Sequence, residues 1–242
     1  MAKVIPEGWS VPERIRQRVG AQAGQQRALV EAGHLVLVLH APPEPNETSR
    51  PARLFWRSPE GQWRATGAGQ GDGLGVLTRH LEALGKLVQS WDARVDGAKT
   101  AEDFFAVLSA ATPLQRTTRN LHKALQAARE AIDDRALITL RDRAAELERG
   151  AELLVADARN GMEFTIARSA EEQAAHGRRA AEAQHKLNLL AAMFFPVTAI
   201  GSILGINLRT GLEGASPAVF WAVLVLSFGV GFVIRGRIDG AK

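Results

Sequence analysis

Two stretches near the end of the chain, residues 187–206 and 216–234, contain no charged side chain, and nothing else in the sequence limits the possible folds as much. Each is about 20 residues long, which at about 1.5 Å per helical residue gives about 30 Å, the thickness of a bilayer's hydrocarbon core. In lipid a lone segment satisfies its backbone only as a helix. The chain is therefore read as a mostly α membrane protein, with two C-terminal transmembrane helices behind a water-soluble part.

Flanking charges set the orientation. Arg178, Arg179 and Lys186 precede the first run, and Arg235, Arg237 and Lys242 follow the second. The positive-inside rule then makes the protein multi-pass with both termini cytoplasmic, residues 208–215 external and residues 235–242 a basic cytoplasmic tail. The N-terminal MAKVIPEGWSVPERIRQRVG lacks the apolar core of a secretory signal. The formal net charge is a modest +4, and the basic residues gather at the membrane boundary. Membrane lipid, not nucleic acid, is the expected partner of that charge. The absence of cysteine excludes disulfides and thiolate metal sites.

Residues 1–135 read as a cytoplasmic α/β domain with a small sheet. VPERIRQRVGAQAGQQRALVEA, residues 11–32, is expected as one helix with Pro12 in its first turn and Gly33 at its end. HLVLVLHA reads as a short strand, and RLFWRSPEGQWRAT as two strands about a turn at residues 58–61. The glycines of TGAGQGDGLG never spell GxGxxG and no GK[ST] follows, so this segment is a connector and not a phosphate loop. Helices are expected over residues 77–95, 101–112 and 113–132, with Asp133 and Asp134 forming a turn and the next N-cap.

Residues 136–186 are expected as one long stalk helix, continuous with the first span at 187–207. Leu137, Leu140, Ala144, Leu147, Ala151, Leu154, Ala158, Met162 and Thr165 recur every three or four residues and mark its packing stripe. Catalysis has no support: no metalloprotease pair, serine elbow or cysteine nucleophile is present. The chain is read as not an enzyme and as needing no cofactor. Asp133, Asp134, Glu146, Glu148, Glu152, Asp157, Glu171 and Glu172 offer oxygen ligands. His176 and His185, nine residues apart, fall on opposite faces of one helix. No metal-ligand set is assigned from these.

The first span is unusual within. Its second half, FFPVTAIGSILGIN, holds a proline, a threonine, a serine and two glycines where a plain anchor needs only aliphatic residues. At about 100° per residue, Leu187, Ala191, Phe194 or Phe195, Thr198, and Gly201 or Ser202 share one face. In lipid such a face is tolerated chiefly against protein or water. Asn207 is out of phase with it, and Gly205 is the residue best able to supply a bend.

This segment resembles the end of the first span in the CorA-type superfamily of pentameric divalent-cation channels and transporters, where a proline-threonine segment leads to a Gly-Met-Asn signature. The surrounding plan agrees: a large cytoplasmic domain, a long stalk helix, two spans and a basic tail. The resemblance implies a homopentamer in the cell's inner (plasma) membrane that passes a divalent metal cation (Mg²⁺, Zn²⁺ or Co²⁺) along an axis lined by the first span. By position it makes Gly205, Ile206 and Asn207 the pore mouth, and Leu187, Ala191, Phe195, Thr198 and Ser202 the lining. Leu187 and Phe195 then form the apolar constriction. Ile206 stands where the magnesium branch has methionine, as in the ZntB-like zinc-transporting branch. Two alternatives stay open: a nonselective or tension-gated pore, and a membrane-anchored oligomeric scaffold without selective transport.

Overall fold

The structure, a computed structural model, describes residues 5–19, 24–43, 51–66, 73–205, 211, 214 and 216–239. It divides into two compact units, Met1–Ala167 and Arg168–Lys242.

The first unit is built on a four-stranded antiparallel sheet: β1 (Arg27–Glu31), β2 (His34–His40), β3 (Ala52–Arg57) and β4 (Trp63–Ala65), in the order β1-β2-β3-β4. A short helix, α1 (Glu13–Val19), precedes it. The helix expected over residues 11–32 is thus wrong in its second half. Arg27 to Glu31 pair with Val38 to His34 as one arm of a hairpin. The turn is Ala32-Gly33, with φ of 48° and 76°. Two consecutive left-handed residues match the natural twist of a two-residue hairpin, so Gly33 closes a hairpin and not a helix. The turn expected at residues 58–61 is present, with the Gly61 N–H donating to the Ser58 carbonyl at 3.0 Å.

Both faces of the sheet are buried. Leu35, Leu37 and Leu39 of β2, with Phe55 of β3, enter the larger core beside Leu77, Leu81 and Leu84. Val36 and Val38, with Leu54 and Trp56, enter a second core closed by Ile5, Trp9, Val11, Ile15 and Val19. Trp56 stacks on Trp9 at 5.8 Å and on His34 at 5.9 Å, and the Arg64 guanidinium lies 5.4 Å from its ring centre. The N-terminal segment therefore acts as a strap that shields the sheet face the helices leave open.

Three helices complete this unit: α2 (Gly73–Gly97), α3 (Ala101–Ala131) and the first part of α4 (Arg135–Gly205). Thr100 and Asp103 form a reciprocal capping box that starts α3. The two helices expected over residues 101–112 and 113–132 are a single one, with Pro113 inside it. Leu114, Leu121 and Leu125 beyond the proline lie in the same core as Val107 and Ala111 before it, and this shared packing outweighs the lost backbone bond. Asp134 caps α4 as expected, its carboxylate accepting from the Ala136 N–H at 2.9 Å. The other carboxylate oxygen takes the Arg57 Nε–H at 2.6 Å, tying the start of α4 to β3. The packing stripe is largely buried, with Leu137, Leu140, Ala144, Ala151, Leu154 and Ala158 all in the core.

The second unit holds the rest of α4 and a further helix, α5 (Pro217–Asp239). The stalk and the first apolar run form one uninterrupted helix through Gly205, with Pro196 inside it. Among the described residues, α4 and α5 are the two helices long and apolar enough to cross a membrane.

Candidate functional site

In water the apolar side chains of α4 and α5 would be a liability; in lipid they are the expected surface. Phe194, Phe195, Phe220, Trp221, Leu226, Phe232 and Val233 are all exposed, a concentration of large apolar side chains that marks an interaction or lipid-facing surface. Against that surface, the contact between the two helices is narrow and specific. A Cβ placed on Gly231 would lie 2.7 Å from the Met193 carbonyl oxygen and 3.1 Å from its Cα. No residue but glycine permits that approach. Ser227, one turn earlier, is buried and satisfies its hydroxyl by donating to the Val223 carbonyl at 2.6 Å. Ser-x-x-x-Gly is the small-residue spacing that lets two helices approach closely in a membrane.

The half-buried residues of α4 in this stretch include Leu189, Ala192, Met193, Pro196, Val197 and Ile200. At about 100° per residue they cluster about Met193, on the face that meets Gly231. Leu187, Ala191, Phe195, Thr198 and Ser202 occupy an arc of about 80° centred about 170° from that face. Leu187 is 60% exposed and Phe195 69% exposed; Thr198 and Ser202 are exposed, and Ala191 is half-buried. The structure thus brings all five to one face of α4 and leaves that face uncovered by α5.

Thr198 donates its hydroxyl back to the Phe194 and Phe195 carbonyls, at 3.1 and 3.0 Å. This fixes the hydroxyl hydrogen along the helix and leaves the oxygen's lone pairs outward, as a small neutral acceptor. Pro196 in the same turn lacks the N–H that would serve the Ala192 carbonyl. Gly205 ends α4. Ile206 and Asn207, the other two residues of the expected mouth, lie outside the described residues, as does most of the segment 208–215.

Among the described residues no three His, Asp or Glu side chains gather closely enough to hold a metal ion. Glu148 and Glu152 are engaged elsewhere: Arg119 donates to them at 3.3 and 2.8 Å, and His122 lies 2.6 Å from Glu148. These bonds clamp α3 against α4. The most perturbed titratable group is His80 on α2, which is 1% exposed. Burial, and then the Arg53 guanidinium 3.5 Å from its Nδ1, push its pKa down to about 4. Its Nε2 is buried without a hydrogen-bond partner among the described residues.

No protein-family model matches the sequence. No curated protein matches it either. Solved structures do. The chain is similar to the full-length CmaX protein, with 16% identity over 96% of this chain and 83% of that one and a TM-score of 0.62. A second match is the CorA magnesium transporter from Methanocaldococcus jannaschii, with 13% identity over 92% of this chain and 84% of that one and a TM-score of 0.42. The fold assignment rests on the first of these: this chain shares the fold of the CmaX protein.

The back of α4 was missed in the sequence. Its signal was Ser227-x-x-x-Gly231 on the partner helix, small residues spaced one turn apart within a run of large apolar ones.

Proposed function

We propose that this chain is a CorA-like membrane protein that assembles as a homopentamer and passes divalent cations (Mg²⁺, Zn²⁺ or Co²⁺) along an axis lined by α4. The observation that carries the reading is the division of α4 into two opposite faces. One is covered by α5 through Gly231; the other, with Leu187, Phe195, Thr198 and Ser202, is free for neighbouring copies. The fold and the FFPVTAIGSILGIN segment support the same conclusion. In this reading both termini are cytoplasmic, in the inner membrane, and Gly205, Ile206 and Asn207 form the outer mouth. A ring of neutral Asn207 amides hydrogen-bonds the water shell of an arriving cation, which suits an ion such as Mg²⁺ that dehydrates reluctantly. Leu187 and Phe195 narrow the path below and close it by dewetting when the helices crowd the axis. Lys186, Arg235 and Arg237 lie where anionic headgroups of the inner leaflet would meet them.

A second reading keeps the assembly and drops the selectivity: a nonselective or tension-gated pore. It is favoured by the free face itself, on which no carboxylate is present to prefer a divalent over a monovalent ion. Both readings are tested by uptake of Mg²⁺, Zn²⁺, Co²⁺ and K⁺ into proteoliposomes holding the purified protein. Asn207→Ala is expected to lower divalent uptake about tenfold, a loss of about 1.4 kcal/mol of stabilisation along the path. Equal passage of K⁺ and divalent ions, untouched by the substitution, would select the nonselective pore; an intact oligomer with no flux would select a scaffold.

A further inference from the structure

Between Arg168 and Gly205 the charged residues of α4, Arg168, Glu171, Glu172, Arg178, Arg179, Glu182 and Lys186, all fall within an arc of about 120° centred on the side of Met193. The remaining arc of about 240°, which includes Leu187 and Thr198, carries none of them. On this arc, moving toward the N-terminal end from Leu187, stand Gln184, Ala180, His176, Gln173 and Ser169. The uncharged face of the apolar run therefore continues for several turns into a helix that is otherwise dense in Arg and Glu. A wall facing an ion path gives a helix a reason to keep that side neutral.

One side chain on this face is oriented. Gln184 donates its Nε2–H to the Asn188 Oδ1 at 2.9 Å, and its own Oε1 accepts no hydrogen bond among the described residues. Asn188, one turn on and toward the flank of the arc, thus holds the amide by its nitrogen and leaves the carbonyl oxygen as the free end. A carbonyl oxygen is a hard neutral ligand, able to replace a water of a divalent cation or accept a hydrogen bond from its water shell. Gln184 lies about 4.5 Å along the axis from Leu187.

We infer that Gln184 forms an inner cation-binding ring immediately beyond the Leu187 constriction, with Asn188 as the residue that positions it. This rests on α4's free face lining the path. The ring gives a cation leaving the dry constriction its first oxygen partners, and being neutral it binds loosely enough to release. It is complete only when several copies contribute their Gln184.

The test uses the full chain in proteoliposomes, with Mg²⁺, Zn²⁺ and K⁺ as the probes and native mass spectrometry to verify the oligomer. Gln184→Leu is expected to lower divalent flux about tenfold with the oligomer intact. Gln184→Glu keeps an oxygen at the same reach and adds a negative charge per chain, and is expected to raise the divalent-to-K⁺ flux ratio at least tenfold. Asn188→Leu is expected to lower divalent flux severalfold in the native background and to have no further effect in the Gln184→Leu background, because the pair acts as a unit. A conducting native protein whose flux and ion ratio are unchanged in both Gln184 variants overturns the inference and leaves the pore reading standing. A native protein that conducts nothing, with Asn207→Ala indistinguishable from it, overturns both.

Discussion

Gly231→Ile is expected to separate α5 from α4 and to cost about 3 kcal/mol, at the upper end of what overpacking does when the surroundings give way poorly. The atoms in the way are the carbonyl oxygen and Cα of Met193, and a helix backbone has no rotamer into which it can retreat. For a chain of this size the melting temperature should fall by about 10 °C, read on the detergent-solubilised protein. Gly229→Ile is the control. A Cβ there meets nothing within 4 Å, and replacing glycine inside a helix gains a few tenths of a kcal/mol in propensity, about 0.5 kcal/mol at most. Equal melting of the two variants would mean that Gly231 does not set the approach of the helices.

Acid should weaken the first unit through His80. Its folded pKa of about 4 lies below the imidazole's ordinary 6.5, so the unfolded chain takes up the proton first as pH falls. The stabilisation is complete above pH 6.5 and is lost progressively down to about pH 4. Between pH 7.5 and pH 5 the loss from this one group is about 2 kcal/mol. His80→Leu keeps a buried side chain and removes the titration. The difference in melting temperature between the two pH values should shrink by about 5 °C in that variant. An unchanged difference would show that other groups carry the acid sensitivity.

The elements that were legible in the sequence are those whose pattern reports one neighbour. The packing stripe of α4 faces one core, and its period of three to four residues identified it without help. Asp134 before Arg135 is a cap by local chemistry alone. The strand β2 was legible by its β-branched composition, but its poor alternation became intelligible only with both sheet faces covered: Leu35, Leu37 and Leu39 on one side and Val36 and Val38 on the other.

The misreadings came where a distant partner decides. RALVE continues the helical pattern of Ile15 and Val19 until β2 offers it a ladder, and Ala32, an ordinary helix former, stands at φ 48° to make the turn. Pro113 marks a helix boundary by local rules, yet the core on both sides of it holds α3 straight through. At the candidate site the face with Leu187, Phe195 and Thr198 followed from helical phase. Which residues lie at its back did not, because that depends on the meeting of Gly231 with Met193. The bond from Gln184 to Asn188 is a choice among side-chain rotamers, and no sequence spacing fixes it.

Because the chain has no cysteine, single cysteines can be placed along α4 and modified in place. The central claim is that the face opposite α5 lines a conducting path. Thr198→Cys and Ser202→Cys proteins in proteoliposomes should lose most of their divalent flux when a charged thiol reagent is added, while Val197→Cys and Ile200→Cys should keep theirs. Block at Val197 and Ile200 with Thr198 and Ser202 indifferent, or no block at any of the four in a conducting protein, would contradict the account.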